Sequence, residues 1–251
     1  MDQTRADISE AIVLVCHRLY AKGFVTATDG NVSARLPNGN ILITPSSVNK
    51  GDVRARLLVE LHPDGTPVTL DRKASTEAGM HLAIYRERPD VHSVVHAHPI
   101  YATGFAAAHI PLTPNVFPEV IVGLGDIPLA PYATPSTPDV GASLIPFLRT
   151  SDAILLANHG AVTFGATVEE AYYRMEKVEH AAHITFVARL LGGERPLDPR
   201  DVERLRALSA DVYGKTPRQG SEPQRDQADL SEEEVKKLIR TVIAESGRRG
   251  S

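Results

Sequence analysis

The chain has 251 residues, 42% of them apolar, with a formal net charge of -4, one cysteine and no tryptophan; that is material for one large domain with an appendage. No basic stripe and only 7 Tyr and 6 Phe argue against nucleic acid as a partner. With no long uncharged apolar run and no basic-then-apolar leader, the sequence reads as a soluble cytoplasmic protein with no membrane partner, and its lone Cys16 as a packed core thiol.

Ile8, Ala11, Ile12, Val15 and Leu19 recur at helical spacing and stop at Gly23, which predicts an amphipathic helix with a glycine cap. Thr28-Asp29-Gly30-Asn31 breaks that pattern. Residues 32–36 and 41–44 around Pro37-Asn38-Gly39 predict a hairpin, and 57–61 with 68–70 around Pro63-Asp64-Gly65 a second one. Between them lies the small polar loop Thr44-Pro45-Ser46-Ser47. Ser75-Thr76-Glu77 opens a helix through Met80, Leu82, Ala83 and Ile84, with hydroxyl residues where an N-cap is wanted.

Val94-Val95-His96-Ala97-His98-Pro99 reads as a buried strand, followed by a short helix over 99–108. The proline-rich stretch 111–138 reads as strand and loop, and Thr137-Pro138 as the start of a helix to about 149. A second apolar run, 153–158, delivers His159 just before Gly160. Thr167-Val168-Glu169-Glu170 then forms a capping box for a long helix ending at Gly192-Gly193. Hairpins, intervening helices and no internal repeat predict an α/β fold with one mixed sheet and helices on its faces. The domain is expected over 1–217, a polar linker over 218–229, and a terminal helix over 230–247 with Val235, Leu238, Ile239, Val242 and Ile243 as its apolar stripe.

His96 and His98, two apart on a strand, share a face and could grip one ion. The pair alone is weak; His159 at the end of another apolar run supplies a third ligand. Three neutral imidazoles leave an open coordination position, as in catalytic rather than structural zinc. His17, His62, His92, His109, His180 and His183 fit no ligand set and read as surface or core.

Six motifs in collinear order resemble the class II aldolase and adducin-head family, closest in pattern to fuculose-phosphate aldolases. They are Gly30-Asn31-Val32-Ser33, Ile43-Thr44-Pro45-Ser46, Ser75-Thr76-Glu77, His96-Ala97-His98, Ala130-Pro131-Tyr132-Ala133-Thr134 and His159-Gly160, within a similarity covering about residues 5 to 217. The resemblance implies an α/β/α sandwich around a mostly antiparallel sheet. It implies Zn2+, with Mn2+ or Fe2+ as alternatives, on His96, His98 and His159. Glu77 becomes the acid/base that can also touch the metal, and Gly30, Asn31, Ser46, Ser47, Ser75 and Thr76 the cradle of a substrate phosphate. Tyr213 matches the tyrosine given to a neighbouring subunit's site in a homotetramer.

The activity so implied is retro-aldol cleavage of a phosphorylated ketose, such as L-fuculose 1-phosphate, to dihydroxyacetone phosphate and a small aldehyde. Relatives on this fold decarboxylate or dehydrate phosphorylated sugars and sugar acids, which is the alternative; epimerases carry Asp where this chain has Glu77. Adducin heads keep the fold as a metal-free binding module, against which the three histidines and Glu77 stand. One position departs from the fuculose enzymes: Phe117 stands where they have a tyrosine, and a phenyl ring cannot donate a proton to an aldehyde oxygen. Beyond the similar region, the linker and helix over 218–247 look like the encapsulation peptides that tether enzymes to bacterial microcompartment shells; the other reading is a helix folded back on its own enzyme.

Overall fold

β4 (Ser93–Ala97), β6 (Ala153–Leu156) and β7 (Gly160–Gly165) are buried along their whole length, and their near-continuous small and apolar sequences suit strands covered on both faces. With β1 (Asn31–Arg35), β2 (Ile41–Ile43), β3 (Val59–Leu61) and β5 (Leu129–Ala130) they form one seven-stranded sheet, in the order β3-β2-β1-β4-β7-β6-β5. Every neighbouring pair is antiparallel except β5 and β6. The computed structural model describes residues 4–112 and 114–213, so the expected linker and terminal helix lie outside the described residues. Among those described, no helix is long and apolar enough to cross a membrane.

Successive residues of the strands feed opposite cores, as the period of two dictates. Val95, Leu155 and Ala161 pack under α1 (Arg5–Ala21), α3 (Ile100–Ala107) and α6 (Val168–Leu190); Val94, Ile154 and Val162 pack under α2 (Ala78–Glu87) and α5 (Pro138–Leu144). The mixed α/β sandwich is therefore as expected. α1 starts at a full capping box, Thr4 with Asp7, and is followed by Gly23 at φ 69°. α3 begins directly after His98-Pro99, and its exposed first amides are capped from another helix: Glu179 of α6 accepts from the Tyr101 and Ala102 amides at 3.1 and 2.8 Å.

Several elements differ from expectation. The second hairpin has no return strand: the arm is joined to β3 by an isolated bridge at Leu61 and Pro67, two amide bonds to the Glu60 carbonyl and one from the Glu60 amide to the Thr69 hydroxyl, because Pro67 has no N–H for an edge ladder. The proline-rich stretch contains a helix, α4 (Pro118–Gly123), with Pro118 at its first turn where a missing N–H costs nothing. α7 (Pro199–Tyr213) packs on α4, with the Ser209 hydroxyl donating to the Val122 carbonyl at 2.8 Å. Before α6, Thr167 accepts from the Glu170 amide as expected, but the Glu170 carboxylate takes the Ala166 amide, so only half of the box forms.

β7 escapes the pattern reading because glycine stands at both its ends, yet glycine is what its first position requires. A Cβ on Gly160 would lie 2.6 Å from the Ala97 carbonyl oxygen and 2.5 Å from His98 Cδ2. Backbone stands on one side of that contact and cannot swing away. Gly160→Ala should therefore cost about 1–3 kcal/mol, the range for overpacking a tight interior, read as a lower denaturant midpoint; an unchanged midpoint would show that β4 and β7 have slack at this end.

Candidate metal centre

β4 carries His96 into the buried interior and ends one residue before His98, while the turn joining β6 to β7 supplies His159. The three rings meet: centroids are 4.8 Å apart for His96 and His98, 4.7 Å for His96 and His159, and 5.1 Å for His98 and His159. One nitrogen from each lies within 4.8 Å of the others. The His96 Nδ1 donates to the Ala161 carbonyl at 2.9 Å, which leaves its Nε2 as a lone pair. His98 turns Nδ1 toward Asp29, 3.8 Å away, and points Nε2 at His96 Nε2 across 3.0 Å. Outer partners that fix a ring's tautomer and aim its free nitrogen are the usual company of metal-binding histidines.

Burial drives the ionisation the same way. It pushes His96 down to about 4, and burial with the neighbouring His96 and His159 rings does the same to His98. Both rings are then neutral near pH 7, the form that binds metal. Glu77 stands at the N-cap position of α2 but makes no cap bond; its carboxylate turns into the site instead. Oε2 accepts from Asn31 Nδ2 at 2.8 Å and lies 3.4 Å from His96 Nε2, while Oε1 lies 3.2 Å from His159 Nε2. Burial would raise this carboxyl, but the His96 and His159 rings and the Asn31 amide outweigh it and hold it below the ordinary carboxylate range. Oε1 is buried with no hydrogen-bond partner among the described residues. A buried anionic oxygen beside converging ring lone pairs fits a divalent cation and little else.

Residues 10–186 match the family described as Class II Aldolase and Adducin N-terminal domain. The chain belongs to that family. It is 32% identical over 194 residues to the 3-oxo-tetronate 4-phosphate decarboxylase of Escherichia coli K12, covering 76% of this chain and 89% of that protein. It is 30% identical over 210 residues to the L-fuculose phosphate aldolase of Haemophilus influenzae, covering 84% and 96%. A solved L-fuculose 1-phosphate aldolase matches with TM-score 0.76 at 28% identity, over 83% of this chain and 97% of that one. The protein is thus an enzyme of the class II aldolase superfamily, a metal-dependent group into which the three-histidine centre fits.

Of the remaining expected site residues, Asn31 opens β1, while Gly30, Ser46, Ser47, Ser75 and Thr76 lie on loops. The Ser46 amide donates to the Lys73 carbonyl and the Ser75 amide to the Thr44 carbonyl, at 3.0 and 3.1 Å, so the loops carrying Ser46, Ser47, Ser75 and Thr76 are held side by side. The Ser46 and Ser47 hydroxyls are 3.4 Å apart, and Ser47 sits at φ 59°, where a non-glycine residue is strained. Gly30, at φ 71°, lies where a Cβ would come within 2.9 Å of the His96 carbonyl oxygen. The Asn31 side chain is 2% exposed and committed to Glu77 and His81. Phe117 is the N-cap of α4 and packs on the core under α3 and α6. Tyr213 closes α7; its side chain lies outside the described structure.

Two buried residues of this region escaped the sequence patterns. Lys50, 1% exposed, donates to the Thr28 and Val48 carbonyls at 2.9 Å each and so ties the Gly30 loop to the Ser47 loop. His81 falls within the apolar stripe of α2 and belongs to no motif; its only signal is a spacing of four from Glu77 and from Tyr85. A pocket of 380 Å³ opens beside Thr76 and Glu77, between α2 and α5. Replacing His96, His98 or His159 with Ala should remove stoichiometric divalent metal by elemental analysis. Glu77→Gln should keep the metal and lose turnover by about 10²–10⁴-fold, the usual contribution of a general acid/base; full metal in His159→Ala would take that residue out of the ligand set.

Proposed function

We propose that this protein is a divalent-metal lyase that breaks a C–C bond beside the carbonyl of a phosphorylated sugar derivative, and that the reaction is decarboxylation of a phosphorylated 3-oxo sugar acid to dihydroxyacetone phosphate. The observation that carries the choice is proton traffic. Among the described residues, Glu77 is the carboxylate nearest the histidine centre, at 3.2 and 3.4 Å against 3.8 Å for Asp29, and on the family resemblance Phe117 stands where the fuculose enzymes have a tyrosine. Retro-aldol cleavage needs two transfers: a hydroxyl proton leaves the aldehyde half, and a proton reaches the enediolate carbon. Loss of CO2 from an ionised 3-oxo acid needs only the second.

In 3-oxo-tetronate 4-phosphate the carboxylate is C1, the ketone C3 and the phosphate ester is on C4. The C1–C2 bond breaks, CO2 leaves, and its electron pair becomes an enediolate across C2 and C3. One proton from solvent, passed by Glu77, then reaches C2. A divalent metal held by His96, His98 and His159 would supply a Lewis acid for the developing oxygen charge; zinc suits three imidazoles best, with manganese or iron as the alternatives. The phosphate suits the paired loops of Ser46, Ser47, Ser75 and Thr76 at the start of α2, where backbone amides and the helix end favour an anion. The family pattern further supports a homotetramer with Tyr213 reaching a neighbouring subunit's site, and the composition of 218–247 supports a tether to a microcompartment shell.

The test is product analysis with zinc-loaded protein. 3-Oxo-tetronate 4-phosphate should give CO2 and dihydroxyacetone phosphate in equal amounts, at a kcat/KM at least about tenfold above that for L-fuculose 1-phosphate cleavage, a difference of about 1.4 kcal/mol. The reverse preference, with lactaldehyde as product, would make it an aldolase, and water loss without C–C cleavage a dehydratase. A chain with no stoichiometric metal and no turnover would be a binding module.

A further inference from the structure

We propose that His81 is a positioning residue for Glu77, acting through Asn31 along a buried hydrogen-bond relay that ends at Tyr85. The relay has five members on two elements. Glu77, His81 and Tyr85 are spaced by four and form one stripe of α2 and its cap, while Asn31 and Ser33 are spaced by two on one face of β1. The two stripes interleave. Glu77 Oε2 meets Asn31 Nδ2 at 2.8 Å, Asn31 Oδ1 meets His81 Nε2, His81 Nδ1 meets Ser33 Oγ at 2.6 Å, and Ser33 Oγ meets the Tyr85 hydroxyl at 2.7 Å. Ser33 and His81 are fully buried, Asn31 and Tyr85 almost so.

One charge fixes every proton in this chain. A carboxylate only accepts, so the Asn31 group facing Glu77 is its NH2, and the amide oxygen must face His81. That oxygen also only accepts, so His81 carries its hydrogen on Nε2. Burial pushes His81 down to about 4 and keeps it neutral, so Nδ1 is a lone pair and Ser33 must donate to it. The Ser33 hydrogen being committed, Tyr85 donates to Ser33. Without the His81 N–H, nothing would stop the Asn31 amide from flipping and setting its oxygen against the carboxylate. The relay therefore orients the carboxylate: Oε2 is anchored by Asn31 and lies 3.4 Å from His96 Nε2, and Oε1, with no hydrogen-bond partner among the described residues, is turned toward His159 Nε2 at 3.2 Å.

The inference rests on Glu77 being the acid/base of the proposed reaction, and its test has one arm that needs no turnover. In zinc-loaded protein with 15N-labelled histidine, the His81 ring, assigned by its loss in His81→Leu, should show a neutral ring with hydrogen on Nε2. A ring protonated on Nδ1, or on both nitrogens, overturns the relay whatever the substrate proves to be. In the kinetic arm, His81→Leu should lower kcat by about 10–100-fold, the usual cost of losing an outer-shell partner, with KM and zinc content unchanged. His81→Gln, whose amide can still donate to Asn31, should recover part of it. In a Glu77→Gln background, His81→Leu should cost less than about twofold, because the carboxylate it positions is gone. An equal loss in both backgrounds would make His81 merely structural. If neither the sugar acid nor the ketose phosphate is turned over, the functional reading fails while the ring tautomer still decides the relay.

Discussion

Three imidazole nitrogens aimed at one point repel one another unless something positive sits between them, and the structure around this site is built to hold that arrangement. His96 and His98 face each other through Nε2 atoms 3.0 Å apart. His96 is held from behind by the Ala161 carbonyl, so it cannot rotate its Nε2 away without losing that partner, and His98 has the Asp29 carboxylate 3.8 Å behind its Nδ1. His159 completes the set from a two-strand turn whose closeness to β4 depends on the missing side chain of Gly160. The cost of gathering these groups is carried by two strands buried on both faces, where β4 and β7 pair along their full length. Such a centre has its geometry set before any ion arrives, which is how a protein gains metal affinity without reorganising at binding.

Glu77 follows from the same logic on the same face of the sheet. α2 packs on the second core through Met80, Ile84 and Tyr85, so its first residue is delivered to the edge of β1 beside His96. A glutamate at a helix start is common for dipole reasons alone. Here it neither caps the helix nor faces solvent; Asn31 and the histidine rings hold it. Lys50 does comparable work for the loops, joining two segments that carry no regular structure of their own. A buried ammonium satisfied by two carbonyls is costly, and it sits where moving either loop would leave it without a partner.

Much of this was legible in the residues, for reasons that differ by element. The His-x-His strand and the third histidine announce themselves because strand period, apolar flanks and ligand chemistry coincide within a few residues. The helices with strong caps, α1 and α6, were equally plain. The failures are those of local reading. β7 begins with glycine because the β4 backbone passes close by, and ends with one where the Arg174 and Glu170 side chains crowd in; no window of sequence shows those neighbours. The arm at 68–70 has strand-forming residues, but Pro67 removes the N–H its edge pairing needed. His81 was invisible because its partners, Asn31 and Ser33, lie 50 and 48 residues away; a hydrogen bond across that separation leaves no periodic trace, and on the helix alone the residue resembles one more core position.

Two activities found among relatives of this chain, decarboxylation and aldol cleavage, look different as overall reactions, yet on the proposed reading they would ask the same thing of a metal and of Glu77. Decarboxylation of a 3-oxo acid and cleavage of a ketose 1-phosphate both leave an electron pair on a carbon next to a carbonyl, and both give the same three-carbon enediolate when the remaining half bears one phosphate. Stabilising that charge is the shared and largest demand, so the proposed roles of the histidines, carboxylate and phosphate loops would serve either reaction. What separates the reactions is the departing half: CO2 needs no proton handled, an aldehyde does. The decision between them is therefore expected outside the shared centre, at a position such as Phe117, where a phenyl ring packed against the larger core has no hydroxyl to exchange.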